Sequence, residues 1–123
     1  MSTEAKLDNC KLTMRSGSHL ASALSSDSSR LTHIKVYSND LGDAGVELLC
    51  SGLQHQNCRL EDLMMLGCNL TSGSVSHLAS ALSSHSSRLR SLNLRWNGLT
   101  ASDVEPLTAL QRDPNCSLRF LEF

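Results

Sequence analysis

The chain has 123 residues, 40% hydrophobic and 3% aromatic, with 11 Lys and Arg against 12 Asp and Glu; that suits one domain and gives no bulk charge for nucleic acid or an anionic membrane. Two Pro and seven Gly exclude a collagen-like chain, and there is no apolar run of the roughly 18 residues a bilayer-spanning helix needs. Cys10, Cys50, Cys58, Cys68 and Cys116 are an odd set without CxxC spacing, and the opening MSTEAKLDNC has no apolar signal core; reduced thiols and a cytoplasmic location are expected.

The first segment with a clear pattern, residues 12–31, recurs at 70–89 with 16 of 20 positions identical, an offset of 58. Half of that offset is the unit, because Leu31, Leu60, Leu89 and Leu118 stand 29 residues apart. The expected organisation is a single domain over 1–123, with repeats at about 2–30, 31–59, 60–88 and 89–117 and a partial one at 118–123.

Within each unit the elements follow in a set order. Ile34, Leu63, Leu92 and Leu121, then Leu7, Val36, Met65, Leu94 and Phe123, alternate with variable residues and predict a short strand with one face inward. Cys10, Asn39, Cys68 and Asn97 mark the turn out of it. A helix follows, its stripe read from Val46, Leu49, Cys50 and Leu53 and again from Val75, Leu78, Ala79 and Leu82. Ser102 and Glu105 read as a capping box for the last helix, with Asp103 at its positive end. Ala23, Gly52 and Ala81 share a small-residue column suited to close packing. Strands stack about 4.8 Å apart and helices need roughly 8–10 Å, so the expected fold is α/β, a curved solenoid with a parallel concave sheet and convex helices.

LTHIKVYSNDL, LEDLMMLGCNL and LRSLNLRWNGL resemble leucine-rich repeats, and the 29-residue unit with Cys and Asn in its turn column resembles the ribonuclease-inhibitor subtype. GDAGVELLCSGL, HLASALSS and NCRLEDL are similar to the C-terminal repeats of NOD-like receptors, in particular fish or inflammasome-forming NLRP-type members. The resemblance implies a horseshoe segment without enzymatic activity, cofactor or metal. Its implied role is ligand sensing or autoinhibition in a cytosolic innate immune receptor, with a protein partner or the receptor's own domains as the bound surface. A ribonuclease-inhibitor-like binder is the alternative within the fold. Neither nucleotide-binding nor effector domain accompanies the repeats, so the resemblance implies a portion of a longer receptor or a short divergent relative.

Several residue groups invite a chemical reading. Asn39 and Asn97 are placed to satisfy buried backbone groups of adjacent units, with Cys10 and Cys68 making weaker thiol contacts in the same column. The Ser-rich helix ends, with Ser84 and His85, would serve a hydrolase, although turn chemistry is the plainer account; His19 and His77 share one helix column. Arg30, Arg59 and Arg88 form an edge column that either grips an acidic partner or lies solvated near Glu61 and Asp62.

The variable strand columns point away from the core and collect His33 and Asp62; Lys35, Met64 and Asn93; Tyr37, Leu66 and Arg95; and Trp96. The single Tyr and single Trp both fall there, which marks a protein-binding surface. The competing account is that Trp96 covers a side chain of a neighbouring repeat. Both ends look uncapped, so self-association through Leu118, Leu121 and Phe123 is expected.

Overall fold

A computed structural model describes residues 4–8, 13–26, 30–37, 40–83 and 87–123, with only the backbone of Leu7 and Asp8. Strands and helices alternate: β1 (Glu4–Asp8), α1 (Met14–Ser25), β2 (His33–Tyr37), α2 (Gly42–Leu53), β3 (Asp62–Leu66), α3 (Ser72–Leu82), β4 (Ser91–Asn93), α4 (Glu105–Gln111) and β5 (Phe120–Glu122). The strands form one parallel sheet in chain order. Each residue pairs with the one 29 positions on, so that Ile34 faces Leu63, Leu63 faces Leu92 and Leu92 faces Leu121. Parallel neighbours need a crossover, and the helices supply it.

Most of the expected apolar columns form the core; Phe123, expected to point inward at the end of its column, is exposed because no described helix follows it to pack on, and the side chain of Leu7 lies outside what the structure describes. Ile34, Leu63 and Leu92, with Val36, Met65 and Leu94, project from the sheet into a layer that also takes Val46, Leu49, Cys50 and Leu53 from α2 and Val75, Leu78 and Leu82 from α3. Leu60, Leu89 and Leu118 close it at the strand starts, and Leu41 and Leu70 at the turns. Ala79 lies only partly buried at the margin. The arrangement is an α/β solenoid, with consecutive helices packed on one face of a sheet whose strands follow chain order.

Two local expectations are corrected. Ser102 and Glu105 do not form a capping box; α4 begins from Val104 without a side-chain cap. The reciprocal pair sits earlier, with Thr100 N donating to Asp103 Oδ2 (2.9 Å) and Asp103 N donating to Thr100 Oγ1 (3.2 Å). Residues 101–104 form a turn and the regular helix starts only after it, so Asp103 closes the turn instead of standing in the first helical turn. The small-residue column also splits. Gly52 and Ala81 are buried, but Ala23 is exposed and Ala21 takes the packing role. A Cβ on Gly52 would come within 2.6 Å of Ala21 Cα, and one on Gly17 within 2.1 Å of the Gly45 carbonyl oxygen. Helices α1 and α2 thus meet backbone to backbone, a closeness that only the absence of side chains permits.

Candidate protein-binding face

The turn after β4 is built around Asn97. Its Nδ2 donates to the carbonyls of Met65 (2.8 Å), Leu94 (2.9 Å) and Arg95 (3.2 Å), while its Oδ1 accepts from the amides of Cys68 (2.8 Å) and Leu70 (3.2 Å). One side chain therefore satisfies backbone groups of its own unit and the preceding one, as its column position suggested. Cys68 does the same more weakly, its Sγ lying 3.5 Å from the Leu66 carbonyl oxygen and 3.8 Å from that of Val36. Asn39 and Cys10 lie outside the described residues.

That clamp holds Trp96 in an unusual place. Trp96 has φ 65°, and Gly67, 29 residues earlier in the same column, has φ 60°. Left-handed backbone is natural for glycine and costs a bulky residue roughly 1–2 kcal/mol. The Trp96 side chain is nevertheless 67% exposed. Its ring meets Tyr37 at a centroid distance of 5.4 Å and a tilt of 56°. Tyr37 belongs to β2 and Trp96 follows β4, two strand spacings or about 9.6 Å away, so both rings lean across β3. A Cβ on Gly67 would meet Trp96 only at ordinary contact distance, 3.7 Å from its carbonyl oxygen and 3.9 Å from its Cβ, so glycine there answers to the left-handed backbone and not to crowding.

Leaning rings correct one expected exposure. Leu66, in register with Tyr37, is only 6% exposed and belongs beneath the aromatic pair instead of to the solvent surface. Asn93 is also corrected; it is 8% exposed between Met64 and Glu122 in the sheet register, and its Oδ1 accepts the Arg95 amide at 3.1 Å. Met64, Lys35, Tyr37 and Asp62 are half-buried, while His33 and Arg95 are exposed. Arg95 Nε pairs with Glu122 at 3.4 Å, with both side chains largely in solvent. His33 Nδ1 lies 2.8 Å from Thr32 Oγ1.

At the far edge, Leu118 is 1% exposed and belongs to the core, so it is withdrawn from the expected self-association surface. Leu121 is half-buried and Phe123 is exposed. Arg30, Arg59 and Arg88 are exposed, and no ion pair joins them to Glu61 or Asp62.

Among the described residues no group of three or more His, Cys, Asp and Glu could hold a metal ion. Ser84 and His85 lie outside the described residues. His77 Nε2 is 3.7 Å from Glu47, and His19 is exposed on α1. Cys50, Cys58 and Cys116 are free and buried, and Cys68 is buried in the turn column. Burial, reinforced by the Glu47 charge, pushes the Cys50 thiol up to about 12. Burial also raises Cys58, against smaller opposing effects of a Leu60 hydrogen bond and Arg88. Both are protonated and unreactive at neutral pH.

One polar cluster escaped the sequence reading. Asp43, in the first turn of α2, accepts from the Thr71 amide (2.9 Å), the Thr71 hydroxyl (2.5 Å), the Ser74 amide (3.2 Å) and the Ser74 hydroxyl. Burial pushes its carboxyl up, but the Ser74 and Thr71 hydrogen bonds together outweigh that and leave it below its ordinary value. It caps the next helix, a contact with no local spacing to reveal it.

A family model described as Leucine Rich repeat matches residues 28–50 and 85–107. The first segment carries β2 and most of α2, the second β4 and the start of α4. These matches are consistent with a leucine-rich-repeat protein, and such domains generally serve as protein-interaction modules. That family, with no metal cluster among the described residues, is consistent with a non-enzymatic module. No curated protein matches the chain. No described helix is long and apolar enough to cross a membrane.

Proposed function

We propose that the chain is a protein-binding module whose sheet face docks a partner around Trp96, Tyr37, Arg95 and Lys35. The carrying observation is Trp96, a large amphipathic ring held mostly in solvent on left-handed backbone. Strain of that kind is retained where surrounding structure imposes it, and it clusters at ligand clamps. The resemblance to NOD-like receptor repeats supports a ligand-sensing or autoinhibitory role in a cytoplasmic innate immune receptor, with the partner a ligand protein or the receptor's own domains.

Trp96→Gly separates this reading from a packing role. Relief of the left-handed backbone, about 1–2 kcal/mol, offsets the lost ring pair, about 0.5–1.5 kcal/mol, so the melting temperature should barely move. A photo-crosslinking residue at Lys35 should capture a partner in cells expressing the chain, while the same residue at Ser76, exposed on α3, should not. With that partner, Trp96→Gly should weaken binding by about 1–4 kcal/mol. Unchanged affinity with a large fall in melting temperature would make Trp96 a packing residue. For the receptor role, an upstream nucleotide-binding domain in the coding sequence is the expected finding.

A further inference from the structure

The strand starts carry a repeated irregularity away from Trp96. The Thr32 carbonyl accepts from both Glu61 N (2.8 Å) and Asp62 N (3.0 Å), the Glu61 carbonyl from Arg90 N (2.8 Å) and Ser91 N (3.0 Å), and the Arg90 carbonyl from Arg119 N (2.8 Å) and Phe120 N (2.9 Å). In a regular strand consecutive side chains point to opposite faces. Two successive amides turned onto one carbonyl bend the chain, as in a bulge. Both members of the pairs Glu61 with Asp62 and Arg90 with Ser91 consequently line one groove, completed by His33 and Phe120.

Inside this groove Asp62 is incompletely satisfied. Its Oδ1 is shut off from solvent and accepts no hydrogen bond. A carboxylate oxygen held out of water without a donor is costly. Its neighbours in the sheet, His33 and Ser91, leave that oxygen without a donor, and His33 Nδ1 is already directed at Thr32. Phe120 stands 59% exposed across the groove.

We propose that this groove is a subsite for a single guanidinium, the side chain of an arginine on a protein partner. The terminal torsion of an aspartate is soft, so the Asp62 carboxylate can turn and present both oxygens to two parallel N–H donors. Glu61 adds a second negative charge, and Phe120 offers a ring face on which a guanidinium plane stacks. Arg90 limits the site to one cation by repelling a second. Arginine fits better than lysine because its planar fork supplies two donors and a stacking face together. The subsite rests on the proposed function only in that the arginine belongs to a protein; its chemistry is independent of Trp96, which follows Ser91 by five residues.

The test uses the full chain, 15N-labelled, titrated with acetyl-arginine methylamide and with the neutral, nearly isosteric acetyl-citrulline methylamide while amide shifts are followed by NMR. The arginine compound should perturb Asp62, Ser91 and Phe120 saturably, and the citrulline compound should bind at least about tenfold more weakly, a difference of one decade in Kd. Asp62→Asn should abolish the response. Phe120→Leu, at an exposed position that the core does not need, should weaken it severalfold and serves if Asp62→Asn disturbs the fold. Trp96→Gly should leave it intact. Equal binding of the two compounds, or an undiminished response in both Asp62→Asn and Phe120→Leu, would overturn the proposal. Loss of the response in Trp96→Gly would overturn its independence from the Trp96 face. Arginine binding here with no crosslink from Lys35 would leave the subsite standing and remove the Trp96 reading alone.

Discussion

Residues 18–25 and 76–83 have the same sequence, SHLASALS, and bury different atoms. In α3, Leu78 and Ala81 are fully buried and Ala79 only half so; in α1, Leu20 is half-buried, Ala23 exposed and Ala21 buried. Helix α3 packs against both α2 and α4, whereas among the described helices α1 packs against α2 alone. The four residues before the shared octapeptide, MRSG in α1 and SGSV in α3, sharpen the contrast. Gly17 brings α1 onto the Gly45 backbone, while Val75, one repeat pair later, fills the core. Identical amphipathic sequence thus specifies a helix, but its neighbours choose the face.

The largest expected consequence is at the paired leucines. Leu78→Ala should cost about 2–5 kcal/mol by urea denaturation, the usual range for a fully buried site, and Leu20→Ala clearly less. Equal losses would mean that α1 is as enclosed as α3 and would break the comparison.

Next comes Gly17→Val, which writes the α3 residue into α1. The added side chain meets a backbone carbonyl that cannot swing aside, so a loss of about 1–3 kcal/mol is expected. A neutral result would show that α1 can move away from α2 at little cost.

Asp43 distinguishes the helix starts, since from the start of α2 it caps α3, whereas its counterpart at the start of α1, Met14, gives α2 no side-chain cap. Asp43→Ala should destabilise by about 1–2 kcal/mol, partly through the buried Ser74 hydroxyl it strands. Because the carboxyl is held below its unfolded value of 3.8, its contribution is complete above that pH and is lost as pH falls through the lowered folded value. Amide exchange at Gly73 and Ser74, compared between the parent and Asp43→Ala, should show the cap's protection shrinking only in that acid range.

The smallest difference is expected at the histidines. His77→Ala removes an exposed contact with Glu47 and His19→Ala removes none, so both should stay within about 0.5 kcal/mol of the parent. A larger loss at His77 would reveal an interhelical tie that its geometry does not suggest.

Much of the architecture was readable because each unit repeats the same demand. Leu63 and Met65 point inward for the same reason as Leu92 and Leu94, and a period of 29 residues makes that demand visible along the chain. Asn97 was legible too, since a turn entering a buried ladder needs a side chain that both donates and accepts. The candidate site was less legible. Leu66 is buried because two aromatic residues from other units lean over it, and Asp62 and Glu61 share a groove because a bifurcated backbone contact bends the strand start. Neither cause lies in the local alternation of polar and apolar residues.

By itself, the sequence determined the order of strands and helices, the 29-residue register and the inward columns, because these follow from periodic burial and need no knowledge of which unit lies beside which. Only the tertiary structure decided which face of two identical helix segments is covered, which carboxylate caps a helix in the next unit, and where Trp96 sits. Those outcomes depend on contacts between units, where the side chains and backbone groups that compete for one space come from residues about 29 positions apart or more.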